Sequence, residues 1–211
     1  MFIIDFDNTL FNTNLLVERI MQVFKDSGID EIETLRSYRL SCYGEHGNNF
    51  GYSFANHLKV LSQDKYDTKL VEENLSKLLN TNDYNFDGVE EFLSFCRQKT
   101  DLMVLLTLGD NQFQRQKLAN SGLEKFFDKI IIDNLSQKEK HVAQITDSKT
   151  PFYFINDNLI ENRKIKDTLP NLDIVSKVNL KKFSVQDYID SQLPYFNTLS
   201  EIKNYVANQL K

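Results

Sequence analysis

Two aspartates, Asp5 and Asp7, stand two positions apart where the apolar run Phe2-Ile3-Ile4 gives way to a turn containing Asn8 and Thr9. In an extended chain alternate side chains share a side, so both carboxylates project from one side of the strand end. Thr9 adds a hydroxyl in the turn. Two acids at the end of an apolar strand repel one another and lose hydration, a cost that a cation or a hydrogen-bond network must offset. Carboxylate oxygens of this kind suit a hard divalent metal.

Periodicity supplies the elements that would position these groups. Residues 2 to 6 read as a strand, and Leu15, Leu16, Ile20, Val23 and Phe24 then recur at helical spacing up to Gly28. From Glu31 to about Tyr84 the chain is polar and helical, with pieces near 31–40, 53–63 and 67–80 around a Gly-rich stretch, 43–51, and no convincing strand. After Phe86-Asp87-Gly88 a helix carrying Val89, Phe92, Leu93 and Cys96 leads into Leu102-Met103-Val104-Leu105-Leu106, an apolar run suited to a strand buried on both faces. Alternation continues with helices near 111–121, 136–146 and 159–168 and strands at 129–132, 152–155 and 173–175. A last helix is expected over Leu199 to Leu210. Strands alternating with helices of this length predict an α/β fold, a doubly wound parallel sheet, interrupted over residues 14 to 84 by helices.

In such a sheet, ligands bind beyond the carboxyl ends of the strands. The polar residues there are Asp5 and Asp7 after the first strand, Thr107 after the second, Lys138 at the start of the helix after the third, and Asp157 after Phe152 to Ile155. Acids, a hydroxyl and an ammonium around one point suit phosphoryl transfer, whose demands are in-line positioning and neutralisation of spread-out negative charge.

The segments Asp5-Phe6-Asp7-Asn8-Thr9-Leu10-Phe11, Leu105-Leu106-Thr107-Leu108-Gly109, Lys138 and Phe154-Ile155-Asn156-Asp157-Asn158 resemble, in order, the four motifs of the haloacid dehalogenase-like hydrolases. The resemblance implies a Rossmann-like core formed by residues 1–13 and 85–211, with 14–84 as an α-helical cap. It implies Asp5 as nucleophile, forming an aspartyl-phosphate, and Asp7 as general acid and base. Magnesium would be held by Asp5, the main-chain carbonyl of Asp7, and Asp157, with Thr107 and Lys138 contacting the phosphoryl group. Thr9, Leu108, Gly109, and Tyr43 and His46 of the cap loop are the candidate substrate contacts. Asp7 weighs against carbon–halogen cleavage, because relatives with that activity release no alcohol to protonate and lack this acid.

Two departures bear on the motifs. Asn8 stands where many relatives have Gly, and Asn reaches left-handed backbone conformations more readily than other non-glycine residues. Asn156 replaces a frequent Gly or Asp, leaving Asp157 as the acid of the fourth motif; Glu161 is either a supporting carboxylate or surface. Lys140 competes with Lys138 for the motif position.

Composition narrows the function further. The 211 residues, 41% hydrophobic and 26% charged, are those of a folded globular chain. The net charge of −5, without a basic block, disfavours nucleic acid as a partner. Cys42 and Cys96 make neither a disulfide framework nor a zinc site, and His46, His57 and His141 have no metal spacing. No run is long enough to cross a bilayer, so no membrane association and a cytoplasmic location are expected. The expected activity is magnesium-dependent hydrolysis of a small phosphomonoester, a phosphorylated metabolite, by a monomer or homodimer. A phosphomutase with the same nucleophile and a non-catalytic binding module are the alternatives.

Overall fold

The computed structural model describes all residues except 44–50, 62–65, 82, 135–136, 147–151 and 211. Six strands, β1 (Phe2–Ile4), β2 (Met103–Leu108), β3 (Lys129–Asp133), β4 (Tyr153–Asn156), β5 (Asp173–Lys177) and β6 (Tyr195–Phe196), form one sheet. Its order is β3-β2-β1-β4-β5-β6, with every pairing parallel. The chain starts at the centre and winds outward in both directions. β1 and most of β2 and β4 are fully buried, as expected of strands covered on both faces.

Between β1 and β2 lie α1 (Thr13–Asp26), α2 (Glu31–Tyr43), α3 (Phe54–Leu61) and α4 (Thr68–Leu78), followed by α5 (Val89–Lys99) at the sheet. The two segments that join the first four helices to the sheet are paired with each other. Tyr84 accepts a hydrogen bond from Asn12 N–H, and Leu10 accepts one from Phe86 N–H. One apolar cluster runs from the sheet face (Phe2, Ile4, Leu105, Ile155) through Phe6 and Phe11 to Leu16, Ile20, Phe24, Leu61 and Leu75 of these helices. Burial of this common stripe holds the inserted helices down on the sheet.

The remaining helices are α6 (Asn111–Ser121), α7 (Lys138–Ile145), α8 (Leu159–Thr168), α9 (Val185–Ser191) and α10 (Leu199–Gln209). Five strands and the helices between them fall where periodicity places them. The additions are α9 and the two-residue β6, which extend the sheet beyond β5.

Candidate active site

The tips of β1, β2 and β4 and the start of α7 bring Asp5, Thr107, Asp157 and Lys138 to one end of the sheet. Asp5 follows β1 and is almost wholly buried. One of its carboxylate oxygens, Oδ1, accepts a hydrogen bond from Lys138 Nζ at 2.5 Å. The other, Oδ2, accepts one from Thr9 Oγ1 at 2.9 Å. Thr9 Oγ1 in turn accepts a hydrogen bond from Asp157 N–H at 3.0 Å. Thr9 was expected to touch substrate; its hydroxyl is instead spent inside the protein, locking the first motif to the fourth. The turn that allows this places Asn8 at φ 57°, the left-handed conformation anticipated for Asn.

Lys138, not the exposed Lys140, is the inward lysine. Its ammonium also meets Glu161 Oε2 at 2.9 Å and Asn156 Oδ1 at 3.5 Å. Asn156 donates to Glu161 and to Asn162, and Asn162 donates to Ser176, a buried amide chain that fixes Glu161 and Lys138 together. Glu161 is thus part of the site. Asp157 Oδ2 accepts a hydrogen bond from Asn179 Nδ2 at 2.7 Å.

Burial pushes the Asp5 carboxyl up to about 7; Lys138 opposes the shift, while Asp157, Glu161 and Asp7 add to it. Burial likewise raises Asp157 to about 6, against the pull of Asn179 and nearby lysines. The Lys138 ammonium loses hydration too, yet Asp5 and Glu161 hold its pKa above the ordinary value. Three carboxylates, Asp5, Asp157 and Glu161, thus gather around the ammonium of Lys138. They crowd one ammonium that touches Asp5 and Glu161, an excess of acid at that point in a place with little water, although Lys182 and Lys177 also act on Asp157.

That excess tests whether a metal fits. Among the described residues no group of three or more His, Cys, Asp or Glu side chains forms a self-contained metal cage. Asp7, expected as a ligand through its main-chain carbonyl, has its carboxylate committed elsewhere. What remains is two carboxylates, Asp5 and Asp157, plus that carbonyl: few, hard oxygens with surplus negative charge. This donor set fits magnesium, which keeps waters and takes substrate phosphate oxygens to complete its shell.

Asp7 looks the other way. Its Oδ1 accepts hydrogen bonds from Thr13 Oγ1 and from Lys117 Nζ, and its Oδ2 accepts from Gln114 Nε2 and, at 3.4 Å, from Thr107 Oγ1. These donors hold the carboxyl below the ordinary range even though burial alone would raise it. Lys117 is 2% exposed and sits 4.9 to 5.3 Å from the ring centres of Phe11 and Phe6. Neither Lys117 nor Gln114 was anticipated. Both belong to the buried stripe Phe113, Gln114, Lys117, Leu118 and Ser121 of α6, and a lysine in step with Phe113 and Leu118 was the available signal.

The quarter of the Asp7 side chain left exposed borders a cavity of about 220 Å³ between the inserted helices and the sheet. Leu16, Val17, Ile20, Tyr38 and Tyr52 line it together with Phe113, and the expected contacts Leu108 and Gly109 are among the lining residues. Tyr43 is not. It stands 51% exposed at the end of α2, off the cavity wall, and Tyr38, a turn and a half earlier in the same helix, faces the cavity in its stead. His46 lies outside the described residues. His57 fills a core position, stacked 4.1 Å from Phe24 and bonded to Ser37 and Tyr52; burial lowers its pKa to about 3.

At Gly51 the inserted helices touch the loop after β2 so closely that a Cβ there would lie 2.4 Å from Asp110 N and 2.7 Å from Gly109 Cα. With φ at 74°, only glycine is comfortable at that closure.

The family model for haloacid dehalogenase-like hydrolases matches residues 2–149, more than half of the chain and all but the last of the site-bearing strands. The chain belongs to the haloacid dehalogenase-like hydrolases. Solved structures agree on the fold of this hydrolase. A protein of Burkholderia xenovorans LB400, described as a haloacid dehalogenase-like hydrolase, is 18% identical with a TM-score of 0.74, over 100% of this chain and 97% of that one. A magnesium-bound protein of Bacillus subtilis, described as a HAD-hydrolase, is 16% identical with a TM-score of 0.58, covering 97% and 96%. The L-2-haloacid dehalogenase of Xanthobacter autotrophicus is 12% identical with a TM-score of 0.57, covering 98% and 97%. No curated protein matches the sequence. Among the described residues no helix is long and apolar enough to cross a membrane.

Proposed function

We propose that this hydrolase is a magnesium-dependent phosphatase that cleaves a small phosphomonoester through an aspartyl-phosphate. The observation that carries the reading is the Asp5 carboxylate, held between Lys138 and Thr9, with the carboxylates of Asp157 and Glu161 acting on it. A carboxylate so fixed has its rotation already restricted before substrate arrives.

In the first half of the reaction an Asp5 oxygen bonds to phosphorus as the bond to the alcohol oxygen breaks, and that oxygen takes a proton from Asp7. In the second half water attacks the aspartyl-phosphate, its proton passes to Asp7, and phosphate leaves with Asp5 restored. Lys138 and Thr107 donate to the phosphoryl oxygens, where charge is spread during transfer. Asp5, Asp157 and the Asp7 carbonyl would hold magnesium, whose charge would further neutralise that on the phosphoryl group. Asp7, with its open side on the cavity, faces where an alcohol would depart. Asp7 is ionised in the resting protein, so to act as the acid it must first take up a proton as the anionic substrate enters and give up one of its present donors; the proton it then passes to the leaving oxygen is regained from water in the second half.

The dehalogenase among the structural relatives is the competing reading. Halide departs without a proton, so an acid at position 7 on the cavity wall would have no use in that reaction, and the phosphoester is favoured. Purified protein with magnesium is expected to release phosphate from aryl and alkyl phosphates but no halide from a 2-haloacid. Halide without phosphate would reverse the assignment, and isomerised sugar phosphate without free phosphate would make it a mutase.

A further inference from the structure

The cavity beside Asp7 carries an uneven charge inventory. Its charged lining side chains, among the described residues, are Asp7, Asp110, Asp133 and Lys117, three carboxylates and one ammonium. Lys117 is already committed, since its Nζ bonds to Asp7 and, at 3.0 Å, to Gln114 Oε1. Asp110 caps α6, accepting from Phe113 N–H at 2.8 Å, and Asp133 accepts from Gln137 N–H at 2.9 Å with His141 3.4 Å away. The opposite walls are apolar or aromatic, with Tyr38 and Tyr52 facing Phe113.

We infer that the leaving group of this enzyme is an uncharged or cationic alcohol of about one ring or less, and that esters whose alcohol carries a carboxylate or a second phosphate are rejected. This rests on the phosphatase reading and refines it. An anionic alcohol entering the cavity meets a lining that holds three acidic residues and, among the described residues, one ammonium already bonded to Asp7. A hydroxyl finds acceptors there, and an ammonium finds carboxylates and tyrosine faces. Size points the same way. A dry cavity of about 150 Å³ takes up benzene, so about 220 Å³ suits one ring with a few substituents.

The test compares 2-hydroxyethyl, 2-aminoethyl and carboxymethyl phosphates, three esters of nearly equal size, with magnesium-loaded enzyme. The carboxymethyl ester is expected to show a kcat/KM at least tenfold below the hydroxyethyl ester, with the aminoethyl ester equal to or above it. Asp110→Asn, which keeps the helix cap and removes the charge, is expected to narrow the ratio between hydroxyethyl and carboxymethyl esters severalfold. Equal or better turnover of the carboxymethyl ester, or a ratio indifferent to Asp110→Asn, overturns the inference while leaving the phosphatase standing. If none of the three esters nor an aryl phosphate released phosphate, the phosphatase reading itself would fall, and this inference with it.

Discussion

Asp5 and Asp7 stand two residues apart, each against a lysine, and the two pairs differ in how charge is shared. Burial raises the Asp5 carboxyl to about 7, and Lys138, divided among Asp5, Glu161 and Asn156, does not offset it while Asp157 and Glu161 add to the rise. Lys117 serves Asp7 and Gln114, and Asp7 gathers donors from Thr13, Gln114 and Thr107 besides, so its carboxyl falls. Similar partners thus produce opposite shifts. Burial pushes both carboxyls up; what differs is how far an ammonium and hydrogen-bond donors outweigh it at each one. The undersupplied pair is the one that gains from a metal and a phosphoryl group. The saturated pair holds a carboxylate in place at the cavity wall.

The sharpest way to break this contrast is to remove the nucleophile. Asp5→Asn is expected to abolish phosphate release, a loss of several orders of magnitude, while far-UV and near-UV circular dichroism stay native. Retained turnover would move the chemistry away from the β1 tip. Next in size is Lys117→Met. It leaves Asp7 without its ammonium, and cutting one partner from a buried ion pair costs about 3–5 kcal/mol, read as a drop in unfolding free energy in denaturant. The double variant Asp7→Asn with Lys117→Met is expected to recover much of that loss, because no uncompensated charge remains. A simple sum of the two single effects would mean that the pair does not matter as a pair. Asp7→Asn alone is expected to slow alkyl phosphates far more than aryl phosphates, whose leaving groups need little protonation.

Acidity separates the two pairs in the same protein. Asp5 and Asp157, near 7 and 6 when folded against 3.8 for an ordinary Asp, bind protons more tightly in the native state. Without metal the native state is therefore favoured as pH falls from about 7 towards 4, and loses stability as pH rises through that window. Asp7 works in the opposite sense and lower down. Its depressed carboxyl contributes stability above the ordinary value, lost only as pH falls through the folded one. Metal-free protein is thus expected to melt higher at pH 5 than at pH 8, and magnesium is expected to flatten that slope and release protons near pH 6, because it binds the ionised carboxylates. His57, held neutral by burial, loses stability below its ordinary value and opposes this trend, so the test compares with Asp5→Asn, where the excess of pH 5 over pH 8 should shrink; no change would show that the Asp5 cluster does not drive it.

Much of this contrast was legible in the residues. The strand tips carrying Asp5, Thr107 and Asp157, and the inward Lys138, followed from apolar runs and from the place of polar residues after them. Lys117 was not, because lysine at one position of a helix usually faces water, and only its phase with Phe113 and Leu118 marked it as inward. Thr9 was assigned to substrate because a hydroxyl in a loop does not declare its partner; the partner, the Asp157 N–H, lies 148 positions away. β6 escaped because two residues are too few to show a period, although Ser184 and Asp187 form a capping box that announces α9.

The smallest effects test the donors one at a time. Thr9 and Thr13 each give one hydroxyl hydrogen bond to one of the two aspartates, so Thr→Val at either site removes one bond at nearly constant shape. At Thr9, which is fully buried, the change also orphans the Asp157 N–H. A lost bond plus an unsatisfied buried donor costs about 1–3 kcal/mol, and freeing the Asp5 carboxylate to rotate should lower kcat more than it raises KM. Thr13 begins α1 and is only half-buried, and Asp7 keeps Lys117 and Gln114 when it is lost. A loss of about 0.5–1.5 kcal/mol or less is expected there, with little change on aryl phosphates. Equal costs at the two threonines would mean that Asp5 is as well supplied with donors as Asp7, and the asymmetry between the pairs would have to come from the solvent rather than from the protein.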